Sequence, residues 1–253
     1  MSMLVAVRGV TVAYGGLRAL DGVDLDVPEG HLLGLIGPNG AGKTTLLECI
    51  AGSVRPDAGA VRYQGRDVTR LGPAAHARLG IVRSFQDARL FPGLTVHQVL
   101  CLAHERRTPS RVLPSMLALP GSHRRERAVA AAADQLAADF GLEPHIDKLI
   151  AELSSGLRRA VDLACATALS PRLLLLDEPS AGLAQAEVGA LPAVIRRVRS
   201  LTGGTIVIVE HDMPLLMGLA DTVAVLDAGR LIAFGPPDAI RRDPAVVAAY
   251  GAV

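Results

Sequence analysis

Tryptophan is absent from this chain of 253 residues, and its aromatic rings are limited to three Tyr and four Phe. A ring beside a conspicuous motif therefore stands out. Lysine is nearly absent as well, since of 26 Lys+Arg residues only Lys43 and Lys148 are lysine. A dominant charge is also lacking. With 25 Asp+Glu the formal net charge is +1, which gives no overall basic balance to suggest a nucleic-acid partner. No apolar run approaches the roughly 18 residues needed to cross a bilayer, and Met1 to Arg8 lacks a signal-peptide layout, so the chain is expected in the cytoplasm. Cysteine is scarce. Cys49, Cys101 and Cys165 are odd in number, widely spaced and set in apolar helical patterns, which argues for buried free thiols and against a disulfide or metal site.

What the chain does contain is organised around Gly37-Pro38-Asn39-Gly40-Ala41-Gly42-Lys43-Thr44, followed by Thr45, which fits the phosphate-loop pattern G-x-x-x-x-G-K-[ST] at every fixed position. His31 to Ile36 before it reads as a buried strand, and Thr44 to Ile50 after it as a helix, the context the pattern requires. Glycines let backbone N–H groups turn around an anion, the helix N-terminus adds partial positive charge, and Thr44 can hold a magnesium ion beside the phosphates. In a chain that uses arginine almost everywhere, Lys43 keeps a compact ammonium where a planar guanidinium would not fit. The loop is expected to cradle a nucleoside triphosphate.

Around this loop the length suits one α/β core with a smaller lobe. Residues 3 to 13 and 19 to 27 alternate apolar and polar, an antiparallel β region completed by a short strand from Ala60 to Tyr63. Tyr14, at a strand end, is either an adenine-stacking ring or a partly exposed strand-end tyrosine, and the neighbouring loop favours stacking. Gly80 to Phe85 reads as a strand delivering Gln86, with a helix expected from Thr95. Between His104 and Arg127, six arginines surround an apolar middle from Val112 to Pro120. That stretch reads as an inserted surface segment, either touching a membrane or partner or simply solvated. A helix is expected from Glu126 to Gly141, and Ser154-Ser155-Gly156 opens another, as an anion-binding turn or a plain N-cap.

Leu173 to Leu176 is a fully buried strand ending in Asp177-Glu178, two carboxylates whose burial is costly unless a cation or a proton transfer uses them. Asp177 suits a magnesium shell and Glu178 a general base. A helix from about Gln185 to Leu201 then leads to the strand Thr205 to Val209, which delivers His211, placed to hydrogen-bond a terminal phosphate. Val223 to Leu226 and the turns after it read as short strands, followed by two small helices ending at Tyr250.

In this order the motifs resemble the ATP-binding cassette family over essentially the whole chain. The resemblance implies a phosphate-loop NTPase core with an antiparallel β lobe, at about 1–94 and 171–253, and a helical subdomain at about 95–170. It implies an ATPase that turns ATP and water into ADP and phosphate with Mg2+. It assigns Tyr14 to adenine stacking, Gly37 to Thr45 to the phosphates, and Thr44, Gln86 and Asp177 to the metal. Glu178, His211, Gln86 and Lys43 become the catalytic set, and Ser154 and Gly156 belong to the signature, Leu153 to Arg159. Within the family, Phe85-Gln86, Leu90-Phe91, the basic segment, Val209 to Met213 and the ending Asp238 to Tyr250 look like ATPase subunits of branched-chain amino-acid importers. Such importers pair two cassettes with two membrane permeases and an extracytoplasmic binding protein, which places the subunit peripherally on the cytoplasmic side of the membrane. Exporter ATPases of the lipopolysaccharide type and soluble cassettes acting on ribosomes or DNA are the alternatives. Departures from the family pattern are Leu157 and Ala184, where polar residues are usual, and Ala160 and Cys165, where arginines are common.

Overall fold

The computed structural model describes residues 2–84, 90–107 and 120–250. Two compact units emerge, one from Met1–Gln86, Pro171–Ala181 and Gly203–Val253, the other from Asp87–Ser170 and Gly182–Thr202. Residues 182–202 thus group with the helical unit and not with the core, to which the expected range 171–253 assigns them.

In the first unit, alternating burial makes β1 (Met3–Tyr14) and β2 (Leu17–Pro28) a hairpin, with Tyr14 opposite Leu17. Gly15 and Gly16, at φ 54° and 91°, form the two-residue turn, a backbone that side chains would strain. β4 (Ala58–Tyr63) pairs with the other edge of β1, and β5 (Arg66–Asp67) extends the sheet, giving the order β2-β1-β4-β5. The two-residue strand β5 and the helix Pro73–Arg78 that follows it are not among the elements expected from the sequence.

The second sheet of this unit is built on β3 (Leu32–Ile36), β7 (Leu173–Asp177) and β8 (Thr205–Val209), in which every residue is buried. Continuous apolar runs of this kind belong to parallel strands covered on both faces. With β6 (Ile81–Ser84), β9 (Thr222–Asp227) and β10 (Arg230–Gly235) the order is β10-β9-β3-β8-β7-β6, parallel except for β10. Both Leu35 and Asp177 pair with Val209. The carboxyl ends of β3, β7 and β8 therefore reach one edge together, the edge where open α/β sheets bind ligands. Leu33 and Leu35 of β3, Leu46 and Leu47 of the helix Lys43–Ala51, and Val5, Val7 and Val10 of β1 share one core. Gly34 makes room on β3, since a Cβ there would meet the Leu216 side chain at 2.9 Å.

The second unit packs the helices Val96–Arg107, Pro120–Asp139 and Ser155–Ala168 around Val96, Leu100, Ala133, Ala137, Val161 and Ala164. Thr95 and Gln98 cap the first helix reciprocally: Gln98 N–H donates to Thr95 Oγ1 at 3.2 Å and Thr95 N–H to Gln98 Oε1 at 2.9 Å. Of the basic stretch, residues 104–107 and 120–127 lie in the first two of these helices, and the remainder lies outside the described residues. The helix expected from Gln185 to Leu201 is divided into Gln185–Val188 and Leu191–Thr202. Pro192 explains the break: inside a continuous helix its ring would clash with the Val188 carbonyl, whereas in a first turn it is tolerated.

Candidate nucleotide-binding site

Between β3 and the helix Lys43–Ala51, the phosphate loop is fixed by two close backbone approaches. A Cβ on Gly37 would fall 2.2 Å from the Leu226 carbonyl oxygen, and one on Gly42 would fall 2.3 Å from that of Ala19. Gly42, at φ 99°, caps the helix without a side-chain hydrogen bond, so the first-turn N–H groups face the loop. Lys43 is only 6 % exposed, and its ammonium donates to the carbonyls of Gly37 at 2.7 Å and Pro38 at 3.0 Å. Burial pushes its pKa down, while the negative charges of Glu178 and Asp177 oppose that shift. A cavity of about 460 Å³ opens beside it, lined by Tyr14, Ala19, Asn39 to Thr45, Glu178 and His211 among others. Tyr14 is half exposed there and hydrogen-bonded to the Thr45 side chain.

The two carboxylates that end β7 have different surroundings. Asp177 is 7 % exposed and its Oδ2 accepts from Arg83 Nη2 at 2.7 Å; Nη1 of the same guanidinium approaches Glu48 Oε1 at 3.4 Å. Glu178 has φ 47°, a left-handed conformation for a residue with a side chain, held by its N–H donating to the Val209 carbonyl at 2.9 Å. Glu178 Oε1 lies 2.9 Å from His211 Nε2, so the expected base and the expected switch histidine are hydrogen-bonded to each other. One residue before that histidine, Glu210 is 1 % exposed and accepts from Ser180 N–H and Oγ, both at 2.8 Å, and from His211 N–H at 3.0 Å.

Arg83, Glu48, Glu210 and Ser180 escaped the sequence reading. Glu210 carried the signal already used for Asp177, a carboxylate directly following a buried strand. Gln86 lies outside the described residues.

Ser154 and Gly156 belong to the second unit and do not line the cavity. Ser154 Oγ is the N-cap of the helix Ser155–Ala168, accepting from Leu157 N–H at 3.3 Å. Gly156 N–H donates to Glu187 Oε1 at 3.0 Å, and Ser154 also hydrogen-bonds the Glu187 side chain. The departures have a local reason: Leu157, Ala160 and Cys165 pack in or against the helical core. All three cysteines are free, as expected, but only Cys49 is buried; Cys101 and Cys165 are half-buried. Burial pushes the thiols of Cys49 and Cys165 up to about 12, which leaves them without thiolate chemistry near neutrality.

The site suits a nucleoside triphosphate on three counts: Gly37 and Gly42, where a Cβ would strike backbone carbonyls, a buried ammonium within the loop, and an aromatic ring in the lining of the same cavity. Thr44 and Asp177 supply the hydroxyl and carboxylate oxygens that a small hard cation takes.

Residues 20–181 match the ABC transporter family, and residues 230–250 match the family described as branched-chain amino acid ATP-binding cassette transporter. Over 98% of its length the chain is 36% identical to the high-affinity branched-chain amino acid transport ATP-binding protein BraF of Pseudomonas aeruginosa, of which it covers 97%. It is 34% identical, over the same shares, to LivG of Escherichia coli. Among solved structures, the ADP conformation of an ATP-binding cassette of an ABC transporter superposes with a TM-score of 0.82 at 28% identity, covering 99% of both chains. A nucleotide-free ATP-binding cassette gives 0.81 at 29% identity and 98% of both chains.

Proposed function

Because the chain belongs to the ABC transporter family as its ATP-binding, ATP-hydrolysing subunit, we propose that it powers uptake of branched-chain or related amino acids through separate permeases. The observation that carries this reading is the end-to-end similarity to BraF and LivG together with the match of residues 230–250 to the branched-chain group.

In this reading Tyr14 stacks on the adenine, and the backbone N–H groups from Gly37 to Thr45, with Lys43, bind the phosphates and neutralise charge that develops on them. Glu178 accepts a hydrogen bond from the attacking water and takes its proton as the bond to the terminal phosphorus forms and the bond from that phosphorus to the bridging oxygen breaks, releasing ADP. His211 orients the Glu178 carboxylate through the 2.9 Å contact and donates to the terminal phosphate as it moves. Thr44, Gln86 and Asp177 would hold Mg2+, which supplies charge neutralisation at the phosphates. Ser154 and Gly156 offer their donors to the nucleotide of a second cassette. No helix among the described residues is long and apolar enough to cross a membrane. In this reading the chain sits peripherally on the cytoplasmic side of two permeases, paired with a second cassette, and an extracytoplasmic binding protein delivers cargo.

The test is reconstitution of the chain with its permeases in liposomes. ATP hydrolysis should rise when binding protein loaded with leucine, isoleucine or valine is added, and labelled amino acid should accumulate on the binding-protein-distal side. Stimulation by a different solute class, with none by branched-chain amino acids, would overturn the substrate reading.

A further inference from the structure

We propose that Glu210 is a positioning residue for ATP hydrolysis, a buried carboxylate that clamps the loop carrying Glu178 to the loop carrying His211. The proposal rests on the hydrolytic reading of those two residues and is independent of the cargo.

The observation is that the Glu210 hydrogen bonds named here reach into both loops. Oε1 accepts from Ser180 N–H at 2.8 Å; Oε2 accepts from Ser180 Oγ at 2.8 Å, His211 N–H at 3.0 Å and Asp212 N–H at 3.4 Å. Ser180 stands two residues after Glu178, and Glu210 immediately precedes His211. Between them the main chain is tied once more, by Glu178 N–H donating to the Val209 carbonyl at 2.9 Å. The 2.9 Å contact of Glu178 with His211 is thus the side-chain consequence of a main-chain clasp.

A carboxylate suits this task where an amide does not. Both oxygens face fixed backbone N–H donors, on Ser180 from one side and on His211 and Asp212 from the other. A glutamine amide must turn its NH2 toward one of those sides, opposing a donor with a donor. At 1 % exposure no water can relieve that conflict without opening the loops. The loop after β7 would then drift from the loop after β8, and a shift of about 1 Å in a catalytic group can cost on the order of a hundredfold in rate.

The test uses the full chain, measuring ATP turnover, equilibrium ATP binding and thermal midpoint for wild type, Glu210→Gln, Ser180→Ala and the double variant. Glu210→Gln should lower kcat about tenfold to a hundredfold with KM and ATP affinity nearly unchanged, since the phosphate loop is not part of the clasp. Ser180→Ala keeps its N–H and should lose less. The double variant should be no worse than Glu210→Gln alone, because the two residues act as one unit. A folded Glu210→Gln with wild-type kcat, or one whose losses add to those of Ser180→Ala, overturns the proposal. If Glu210→Gln does not fold, Ser180→Ala and Ser180→Thr decide: reduced kcat in the first, restored by the hydroxyl of the second, supports the clasp, and equal turnover in both defeats it.

Discussion

Gly156 N–H donates to Glu187 Oε1 at 3.0 Å, so the N-terminus of the helix Ser155–Ala168 already holds a carboxylate drawn from 31 residues further along the chain. A Cβ on Gly156 would meet that oxygen at 2.9 Å, so a side chain there would push the Glu187 carboxylate aside. Hydrogen bonds from Ser154, Ala184 and Gly156 hold the Glu187 carboxyl below its ordinary range, which keeps it ionised. In the proposed function the same donors are offered to a second cassette's nucleotide, so Glu187 and a terminal phosphate would compete for them. Glu187→Gln removes the charge and should lower the ATP concentration for half-maximal turnover roughly twofold to fivefold, the scale of an exposed charge contact. A KM that stays level or rises would show that the carboxylate does not compete.

These contacts mark where the sequence stops being informative. β3, β7 and β8 are legible because burial on both faces demands unbroken apolar residues, and the phosphate loop is legible because its chemistry lies within nine consecutive positions. Local patterns do not tell which distant partner a charged side chain finds. Arg83 meets Asp177 across 94 positions, and Ser180 meets Glu210 across 30. Nor did helical periodicity betray the break before Pro192, since apolar spacing continues on both sides of it.

Leu157 illustrates a position with two demands. Its side chain packs against the helical core, while in the family reading it stands where a polar residue would serve the opposing nucleotide. Leu157→Gln should therefore lower stability by about 1 kcal/mol through lost apolar burial. The same change should raise hydrolysis by the chain alone about tenfold, if the recovered hydrogen bond to a charged group is felt in the transition state. Thermal melting and ATP turnover read the two effects separately. Reduced stability with unchanged turnover would leave Leu157 a packing residue only.

Asp21 of β2 receives both Nε and Nη2 of Arg230 from β10, at 2.9 and 2.6 Å on one oxygen, and Nη1 of Arg18 at 2.7 Å on the other. These guanidinium groups, Arg230 foremost, hold its pKa below the ordinary 3.8. The folded state then binds this proton less readily than the unfolded state. The stabilisation is present in full above the ordinary aspartate value and is lost as pH falls through the depressed folded value. Asp21→Asn should melt below wild type at neutral pH, and the difference should close in strong acid. A gap that stays constant with pH would assign the loss to packing instead of charge.

Lys43 and Glu178 should separate binding from turnover. In the proposed function Lys43 binds ground-state phosphates, so Lys43→Ala should weaken ATP affinity by about 1.5–3 kcal/mol, the worth of a hydrogen bond to a charged group. Glu178→Gln leaves the phosphate loop intact and should bind ATP normally while turning over roughly a hundredfold to ten-thousandfold more slowly. Near-normal hydrolysis by Glu178→Gln would remove Glu178 from the role of base.

The left-handed backbone at Glu178 yields a prediction that activity alone cannot mimic. At φ 47° any Cβ is crowded, and holding a residue with a side chain there costs about 1–2 kcal/mol. Alanine at this position keeps that strain, whereas glycine relieves it at an entropic cost of about 0.4–1 kcal/mol in the unfolded chain. Glu178→Gly should thus be more stable than Glu178→Ala by roughly 0.5–1 kcal/mol, or about 1–4 °C in Tm for a chain of this size. Both variants should lose hydrolysis, because both lack the carboxylate, so the stability difference isolates the backbone. The strain persists in the wild type because Glu178 N–H is tied to Val209 and the next turn is tied to Glu210. Together these bonds over-determine the conformation and aim the carboxylate at His211. A Glu178→Gly variant that melts at or below Glu178→Ala would mean that the left-handed turn carries no strain, and that its aim at His211 needs no restraint.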